Sequence, residues 1–284
     1  MAKNYADAVR AGAQAASSLQ RQLGLRENLE LSGGTINVFA AIAELEIPLL
    51  VRPLDGLLGA YLNLPTRGIL ITTQRPLSIQ RFTAAHELGH CVLNHEPSLD
   101  DENFLRRLVV NNSSRSDLQE VEADGFATAF LMPKWLIGSH MKRQGWTTPD
   151  LRRPNVIYQL SLRLGVSYEA LCWTLVRYRM IANKQARELL GMQRRALKEA
   201  LLEDHRPADY RGDVWVLTER DAGTRIDGSR NDHFVLRLTE HSNGGYLWNI
   251  DELRDSGFVI VGDRALEAEA ESIGDPSVRR VTAR

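Results

Sequence analysis

Two histidines four residues apart, with a glutamate directly after the first, occur at residues 86 to 90, which read His86-Glu87-Leu88-Gly89-His90. On an α-helix, side chains at positions i and i+4 lie on the same face, one turn apart. Both imidazoles can then bind one divalent metal ion, and the H-E-x-x-H spacing is typical of helices that do so. The spacing therefore predicts a core helix with a metal site on one face.

The segment before this motif predicts a strand followed by a helix. Residues 68–73 are apolar and rich in β-branched side chains, and Pro76 and Ser78 follow, with Ser78 predicted as the N-cap. The predicted buried stripe of the helix consists of Phe82, Ala85, Leu88, Val92 and Leu93. The alternative is a solvated amphipathic helix with two incidental histidines, and the strand before it and the apolar stripe disfavour that alternative.

Glu87 has the position that a general base needs. Three protein ligands leave a four-coordinate Zn²⁺ one open position for water, and the ion lowers the pKa of that water enough to give a nucleophile near neutral pH. Glu87 is turned about 100° from His86 around the helix, which predicts that it takes the proton rather than binding the ion. A structural zinc site closes all four positions, typically with cysteines, and the chain has only Cys91 and Cys172.

Three acidic residues, Glu120, Glu122 and Asp124, follow within about one helical turn. Glu120 and Asp124 are spaced i and i+4 and share a helix face, whereas Glu122 is turned about 200° from Glu120. We predict Glu120 as the third metal ligand. Asp124 is predicted to accept the free N–H of a ligating histidine, which fixes its tautomer, and Glu122 is predicted to be a solvated charge.

Composition places the chain among ordinary globular proteins. Hydrophobic residues make up 43% and charged residues 25%, and the formal net charge of -1 argues against a broad nucleic-acid-binding field. The two cysteines supply no disulfide framework. Because the N-terminal segment is too polar for a signal peptide and no apolar run approaches a membrane span, we expect a cytoplasmic protein without a membrane partner.

The segments before the motif predict a small sheet with helices. Apolar spacing predicts two helices, at about residues 5–23 and 36–45, and three strands, at 47–51, 57–63 and 68–73. An edge of this sheet beside the motif helix would let an extended peptide pair with it. Tyr61 is considered as an oxyanion donor, although a core or rim position is the preferred interpretation.

The middle of the chain is predicted to be helical. Residues 159–171 have the helix, glycine-containing turn, helix pattern of a helix-turn-helix, within a helical region at 139–182. The residues after the turn, beginning Tyr168-Glu169, offer few side chains that contact bases or phosphates. Direct DNA binding is therefore the less favoured hypothesis, behind substrate docking or packing. A connector helix is predicted from Ala182 to Leu202.

Beyond residue 205 the composition is typical of β-structure. Strands are predicted at 214–217, 234–238 and 258–261, separated by Gly, Asp and Asn turns. The loop from Ser242 to Trp248 is faintly similar to a loop of chagasin-like inhibitors of cysteine proteases, without its two threonines, and the module is predicted to sense a signal or recruit a substrate. The last residues, 273–284, lack periodicity and are predicted to be disordered.

Three strings in order, RFTAAHELGHCVLNH, EVEADGFATAFLMP and LSLRLGVSYEAL, resemble the ImmA/IrrE family of bacterial metallo-endopeptidases over roughly residues 8–182. The resemblance implies a cytoplasmic peptidase that cleaves a helix-turn-helix repressor of the XRE type and derepresses stress-response or mobile-element genes. It implies His86 and His90 as metal ligands, Glu87 as base and Glu120 as third ligand. Zinc is the implied metal, with manganese as the alternative. No role is assigned to His95.

The predicted fold class is α+β in three parts. A zincin-like peptidase domain with a small sheet and motif helices spans residues 1–138, a helical, helix-turn-helix-like segment with the connector helix spans 139–204, and the β-rich module spans 205–284. Two functional hypotheses follow, a metallo-endopeptidase acting on a repressor and a non-catalytic or DNA-binding regulator that retains the zincin fold. Glu87 favours the first, because a binding protein needs the metal ligands but not the base.

Overall fold

The computed structural model describes residues 4–63, 66–96, 99–101, 115–240, 247–266 and 277–284. Contacts divide the chain into two compact units, the first formed by Met1–His140 and Leu160–Arg179 and the second by Met141–Gln159 and Met180–Arg284. Each unit contains helices and one four-stranded sheet among its described residues, which confirms the α+β class. The three-part domain division stays a prediction. Among the described helices, none combines the length and the apolar character needed to cross a bilayer.

The first unit is built from helices around one small mixed sheet. Its helices, including the two that continue into the second unit, are α1 (Tyr5–Gln22), α2 (Leu25–Ser32), α3 (Val38–Glu44), α4 (Leu77–Leu93), α5 (Arg115–Leu131), α6 (Lys134–Gln144), α7 (Pro154–Leu164) and α8 (Tyr168–Arg177). Its strands are β1 (Leu49–Arg52), β2 (Leu57–Leu62), β3 (Gly68–Thr72) and β4 (Leu99–Asp101), in the order β1-β3-β2-β4. Strand β3 is parallel to β1 and antiparallel to β2, and β2 is antiparallel to β4.

Helix α4 is the central helix of this unit, because it packs against β2 and β3 on one side and against α5 on another. It begins directly after Pro76, whose ring supplies no capping group, so the prediction that Ser78 caps it is wrong. Ala85 and Leu88 are fully buried as predicted, whereas Val92 is 38% exposed. In the middle of the helix the predicted stripe was too narrow, because every residue from 83 to 91 is buried. At the end of the helix it was too long, because Val92 is exposed.

Helices α1 and α5 pack against each other at very short range. A Cβ atom at Gly12 would lie 2.0 Å from the carbonyl oxygen of Glu122, and one at Gly125 would lie 2.9 Å from the carbonyl oxygen of Val9. Ala8 and Ala16, one turn on either side of Gly12, are fully buried. Small side chains therefore let the backbone of α1 lie against the backbone of α5, the helix that carries the acidic cluster of Glu120, Glu122 and Asp124.

The helix-turn-helix-like element is confirmed as two helices joined by a tight turn. Gly165 has a φ of +66°, which glycine adopts without strain, and the Ser167 side chain accepts a hydrogen bond from the Ala170 amide to cap α8. Leu171 and Cys172 are fully buried in α8. Burial of this face supports the packing interpretation of the element.

The second unit contains a mixed sheet with short helices. Its remaining elements are α9 (Asn183–Leu190), α10 (Arg194–Leu202), β5 (Val214–Leu217), β6 (His233–Glu240), α11 (Asp251–Asp255), β7 (Ile260–Leu266) and β8 (Ser277–Ala283). The sheet order is β5-β6-β8-β7, with β5 and β6 parallel and β8 antiparallel to both of its neighbours. The strand predicted at 258–261 begins only at Ile260.

Two sequence predictions for this unit are wrong. The connector helix predicted from Ala182 to Leu202 is two helices, because α9 ends at a C-cap glycine, Gly191, and α10 starts after Gln193. The C-terminal residues form an inner strand rather than a disordered tail, since Val281 and Ala283 are buried and β8 pairs on both edges. The loop compared with chagasin-like inhibitors falls largely at 241–246, outside the described residues.

Candidate metal centre

The centre lies where α4 and α5 pack side by side. Gly89, inside the H-E-x-x-H motif, allows this approach, because a Cβ atom there would lie 3.1 Å from the Phe126 Cβ and 3.2 Å from the Ala123 Cα. Phe126 and Ala123 are fully buried. The motif residues of α4 and the acidic residues Glu120, Glu122 and Asp124 of α5 therefore face each other across a closely packed helix interface.

His86, His90 and Glu120 converge at this interface. The two imidazole Nε2 atoms lie 2.9 Å apart, and the Glu120 carboxylate lies 3.2 Å from Nε2 of His86 and 3.6 Å from Nε2 of His90. Both histidines are fully buried, while the Glu120 side chain is 23% exposed. Each of the three residues offers one ligand atom, and these three atoms all lie within 4.8 Å of one another.

This donor set fits a divalent metal ion. Two imidazoles and one carboxylate at these separations can each reach one ion at about 2.0–2.2 Å, and the partly exposed carboxylate leaves one side of the set facing solvent. Burial alone would raise the pKa of Glu120, but hydrogen bonds with His86 and His90 outweigh it and hold that pKa far below the usual range of a carboxyl group. Glu120 is therefore ionised, as a ligand must be.

Asp124 contacts the other nitrogen of the first histidine. Its Oδ1 lies 3.1 Å from His86 Nδ1. When Nδ1–H donates to this carboxylate, the lone pair of Nε2 is directed at Glu120 and His90. The structure thus places Asp124 where the sequence predicted an orienting carboxylate.

Glu87 is fully buried beside the centre and packs against strand β2. A Cβ atom at Gly59 of β2 would lie 2.8 Å from Glu87 Oε1 and 2.5 Å from the Thr83 methyl group. The absence of a side chain at Gly59 therefore makes the space in which the Glu87 carboxylate lies. Gly59 is not among the residues predicted for the site, although a glycine inside an apolar strand is a recognised signal of close approach.

Glu122 is not a solvated charge, so that prediction is wrong. It is 5% exposed, and its Oε2 lies 2.9 Å from Nε2 of His95, which is also 5% exposed. Its helix is covered by α1 on one side and by α4 on another, so a position turned away from Glu120 is still inside the protein. Burial lowers the pKa of His95, and the hydrogen bond with Glu122 partly opposes that effect.

His95 reaches the centre through His90. The two Nδ1 atoms lie 3.0 Å apart, and the rings meet edge to face with centroids 4.9 Å apart. The signal available in the sequence was Asn94, a residue type that tolerates the left-handed conformation which ends a helix and turns the chain back. Asn94 has a φ of 55° and a ψ of 47°.

Tyr61 occupies a core position, as preferred from the sequence. It is fully buried in β2, and burial raises the pKa of its phenol, with a further contribution from nearby Cys91. Its full burial gives no support to the alternative in which its hydroxyl group stabilises an oxyanion.

Comparison with known proteins agrees with this geometry. Residues 45–176 match the family model Peptidase M78, described as the IrrE N-terminal-like domain. Among solved structures, a Mycobacterium tuberculosis transcriptional regulator is similar with a TM-score of 0.34 and 12% identity, over 98% of this chain and 80% of that chain, and a likeness this weak bears on neither fold nor function. No curated protein matches. The matched residues include all of α4 and α5, so the part of the chain that carries the candidate metal centre matches an IrrE N-terminal-like domain.

Proposed function

We propose that this chain is a metal-dependent endopeptidase of the cytoplasm that cleaves an XRE-type repressor and thereby releases the genes it silences. The observation that carries the proposal is the convergence of His86, His90 and Glu120, with Glu87 directly after the first ligand. Zinc is the proposed ion, with manganese as the alternative, since imidazole and carboxylate ligands suit both. The family match supports a peptidase, and the repressor as substrate comes from the sequence resemblance alone.

The residues of the centre divide the work of hydrolysis. A divalent ion in this site supplies Lewis-acid chemistry, activating water and polarising the scissile carbonyl group. His86, His90 and Glu120 hold the ion, and Glu87 takes a proton from the attacking water and returns it to the leaving amine. Because Glu87 is fully buried against β2, its carboxylate has little freedom and stays aligned with the centre.

The sheet supplies a surface for the substrate backbone. Gly59 pairs with Asp100 of β4 and lies against Glu87, so β2 and β4 form the side of the sheet nearest the base. Strand β4 ends the sheet order on that side. We propose that an extended segment of the repressor pairs with this edge, which brings one of its peptide bonds to the metal centre.

The test compares wild-type protein with Glu87→Gln. Each is loaded with Zn²⁺ and incubated with the XRE-type repressor encoded beside its gene, and fragments are identified by mass spectrometry. We expect Glu87→Gln to retain the metal and to cleave about 10²- to 10⁴-fold more slowly, because only the base is lost. Glu27→Gln, on the exposed surface of α2, is the matched control and should cleave like wild type.

Two results would contradict the proposal. Cleavage by Glu87→Gln at the wild-type rate would show that Glu87 is not the base. A metal-loaded wild-type protein that leaves the repressor intact, yet binds a specific DNA sequence as the full chain, would favour the non-catalytic regulator instead.

A further inference from the structure

We infer that Glu122 and His95 act as positioning residues that fix the tautomer and the ring orientation of His90, through a buried chain of hydrogen bonds from Glu122 to His95 to His90. This inference rests on the proposed function, because it assumes that Nε2 of His90 is a metal ligand. It assigns a role to two buried side chains, Glu122 and His95, that are neither metal ligands nor the base.

With Nε2 of His90 bound to a metal ion, the distances are consistent with the following arrangement of protons. Nε2 of His90 faces Nε2 of His86 at 2.9 Å and the Glu120 carboxylate at 3.6 Å, so a ligating His90 carries its proton on Nδ1. That Nδ1–H can donate to Nδ1 of His95 at 3.0 Å, which leaves the proton of His95 on its Nε2. The Nε2–H of His95 then donates to Glu122 Oε2 at 2.9 Å, and an ionised carboxylate accepts but does not donate.

The backbone builds this chain locally. Asn94 is in the left-handed conformation at the end of α4, and the His95 amide donates to the His90 carbonyl oxygen at 2.9 Å. This six-to-one hydrogen bond is that of a Schellman turn, which folds the chain back over the last helical turn. The Arg67 guanidinium donates to the Asn94 side chain at 2.9 Å and so helps to hold the turn. His95 is thereby placed against His90, the residue five positions before it.

Carboxylates of one helix, α5, therefore orient both ligating histidines, one by direct contact and the other through His95. Asp124 contacts His86 directly at 3.1 Å, whereas Glu122 reaches His90 only through His95. Glu120, Glu122 and Asp124 lie two residues apart in α5, so one helix supplies the third ligand and a carboxylate for each histidine. Because this helix packs against both α1 and α4, it can keep all three carboxylates in place together.

The test measures metal affinity, separately from peptide cleavage, in the full-length protein. Zn²⁺ is competed against a chromophoric chelator for wild type, His95→Leu, His95→Asn and His140→Leu. Asn keeps an acceptor near the position of Nδ1, whereas Leu keeps only the bulk. His140 is the matched control, since it is another 5% exposed histidine of the same unit, with Nε2 bonded to the Gly34 carbonyl oxygen at 3.0 Å.

We expect His95→Leu to weaken Zn²⁺ binding about 10- to 100-fold, the usual effect of losing a partner of a ligating histidine. His95→Asn should recover most of this loss, and His140→Leu should bind Zn²⁺ like wild type even where its thermal midpoint falls. The visible spectrum of the Co²⁺-loaded protein should change in His95→Leu and not in His140→Leu, because only the first alters the ligand geometry.

Three outcomes would overturn the inference or its basis. Unchanged Zn²⁺ affinity in His95→Leu would show that His95 positions nothing. Equal losses in His95→Leu and His95→Asn would show that an acceptor near the position of Nδ1 does not orient His90. Wild-type protein that fails to bind Zn²⁺ would instead refute the metal site itself, and thus the proposed function.

Discussion

Gly59 of β2 lies directly against Glu87 of α4, so that a methyl group added at Gly59 would stand 2.8 Å from a carboxylate oxygen of Glu87. The same methyl group would stand 2.5 Å from the Thr83 side chain and 3.1 Å from the Leu70 carbonyl oxygen. The lack of a side chain at Gly59 therefore leaves the space in which the carboxylate of the proposed general base lies.

Gly59→Ala should separate metal binding from catalysis. The added methyl group must displace Glu87 or Thr83, and a shift of about 1 Å in a catalytic group costs about 10²-fold in rate. Because the metal ligands are elsewhere, Zn²⁺ affinity should change little. The measurement is the cleavage rate of Zn²⁺-loaded protein beside its metal content.

Gly138→Ala is the control for that experiment, because no atom lies within 4 Å of a Cβ at this exposed position in α6. It should leave the rate unchanged and stabilise the helix by about 0.5–1 kcal/mol. Full activity in Gly59→Ala would mean that Glu87 does not depend on this space.

Gly12→Ala should destabilise the first unit and weaken its metal site. The new Cβ would lie 2.0 Å from the Glu122 carbonyl oxygen and 2.7 Å from the Phe126 amide nitrogen, both backbone atoms that cannot move aside like a side chain. We expect a loss of about 1–3 kcal/mol in the free energy of unfolding, measured by chemical denaturation. Gln14→Ala, exposed on the same helix, should be neutral, and equal stability of the two variants would contradict the close packing of α1 on α5.

Substitutions in the acidic cluster of α5 should weaken Zn²⁺ binding to different degrees. Glu120→Ala removes a ligand and should abolish Zn²⁺ binding at concentrations that saturate wild type, whereas Asp124→Asn and Glu122→Gln should weaken it about 10- to 100-fold. Elemental analysis after dialysis gives the metal content of each variant. Retention of a full equivalent of metal by Glu120→Ala, with loss in Glu122→Gln, would reverse the assignment of the third ligand.

Stability of the metal-free protein should fall as the pH falls from about 7.5 to 5.5. Burial lowers the pKa of His233 and of His205, and the charge of Arg284 adds to both effects. A histidine whose pKa is lower in the folded state binds its proton more readily in the unfolded state. Its contribution to the stability of the folded state is therefore present above about pH 6.5 and is lost as the pH falls below that value.

Thermal midpoints across this range check the prediction, with His233→Gln as the variant. It should reduce the pH dependence, because the buried group that must stay neutral is gone. Carboxylates with lowered pKa, such as Asp263 beside Arg279, lose their contribution only in more acidic solution and do not confuse the result. An identical pH dependence in His233→Gln and wild type would show that His233 contributes nothing.

Local periodicity was enough to predict the centre of the site. The spacing of His86 and His90, and that of Glu120 and Asp124, places each pair on one helix face whatever surrounds the helix. The structure brings His86, His90 and Glu120 together and sets Asp124 against His86, so the shared face on each helix is the one that meets the other helix. Strands β1, β2 and β3 and helices α1, α3 and α4 were also predictable, because their apolar patterns are short-range, whereas α2 and β4 were not predicted.

Tertiary packing decided what surrounds those residues. Glu122 was predicted to be solvated because one helix considered alone has an outer face, whereas α1 and α4 together cover α5 and bury it. The role of Gly59 depends on a strand and a helix that only the fold brings together. The C-terminal strand likewise has no periodicity of its own, and it forms because β6 and β7 offer it hydrogen-bonding edges. Spacing along one element determines which side chains share a face, but only the packing of distant segments determines whether that face meets water or protein.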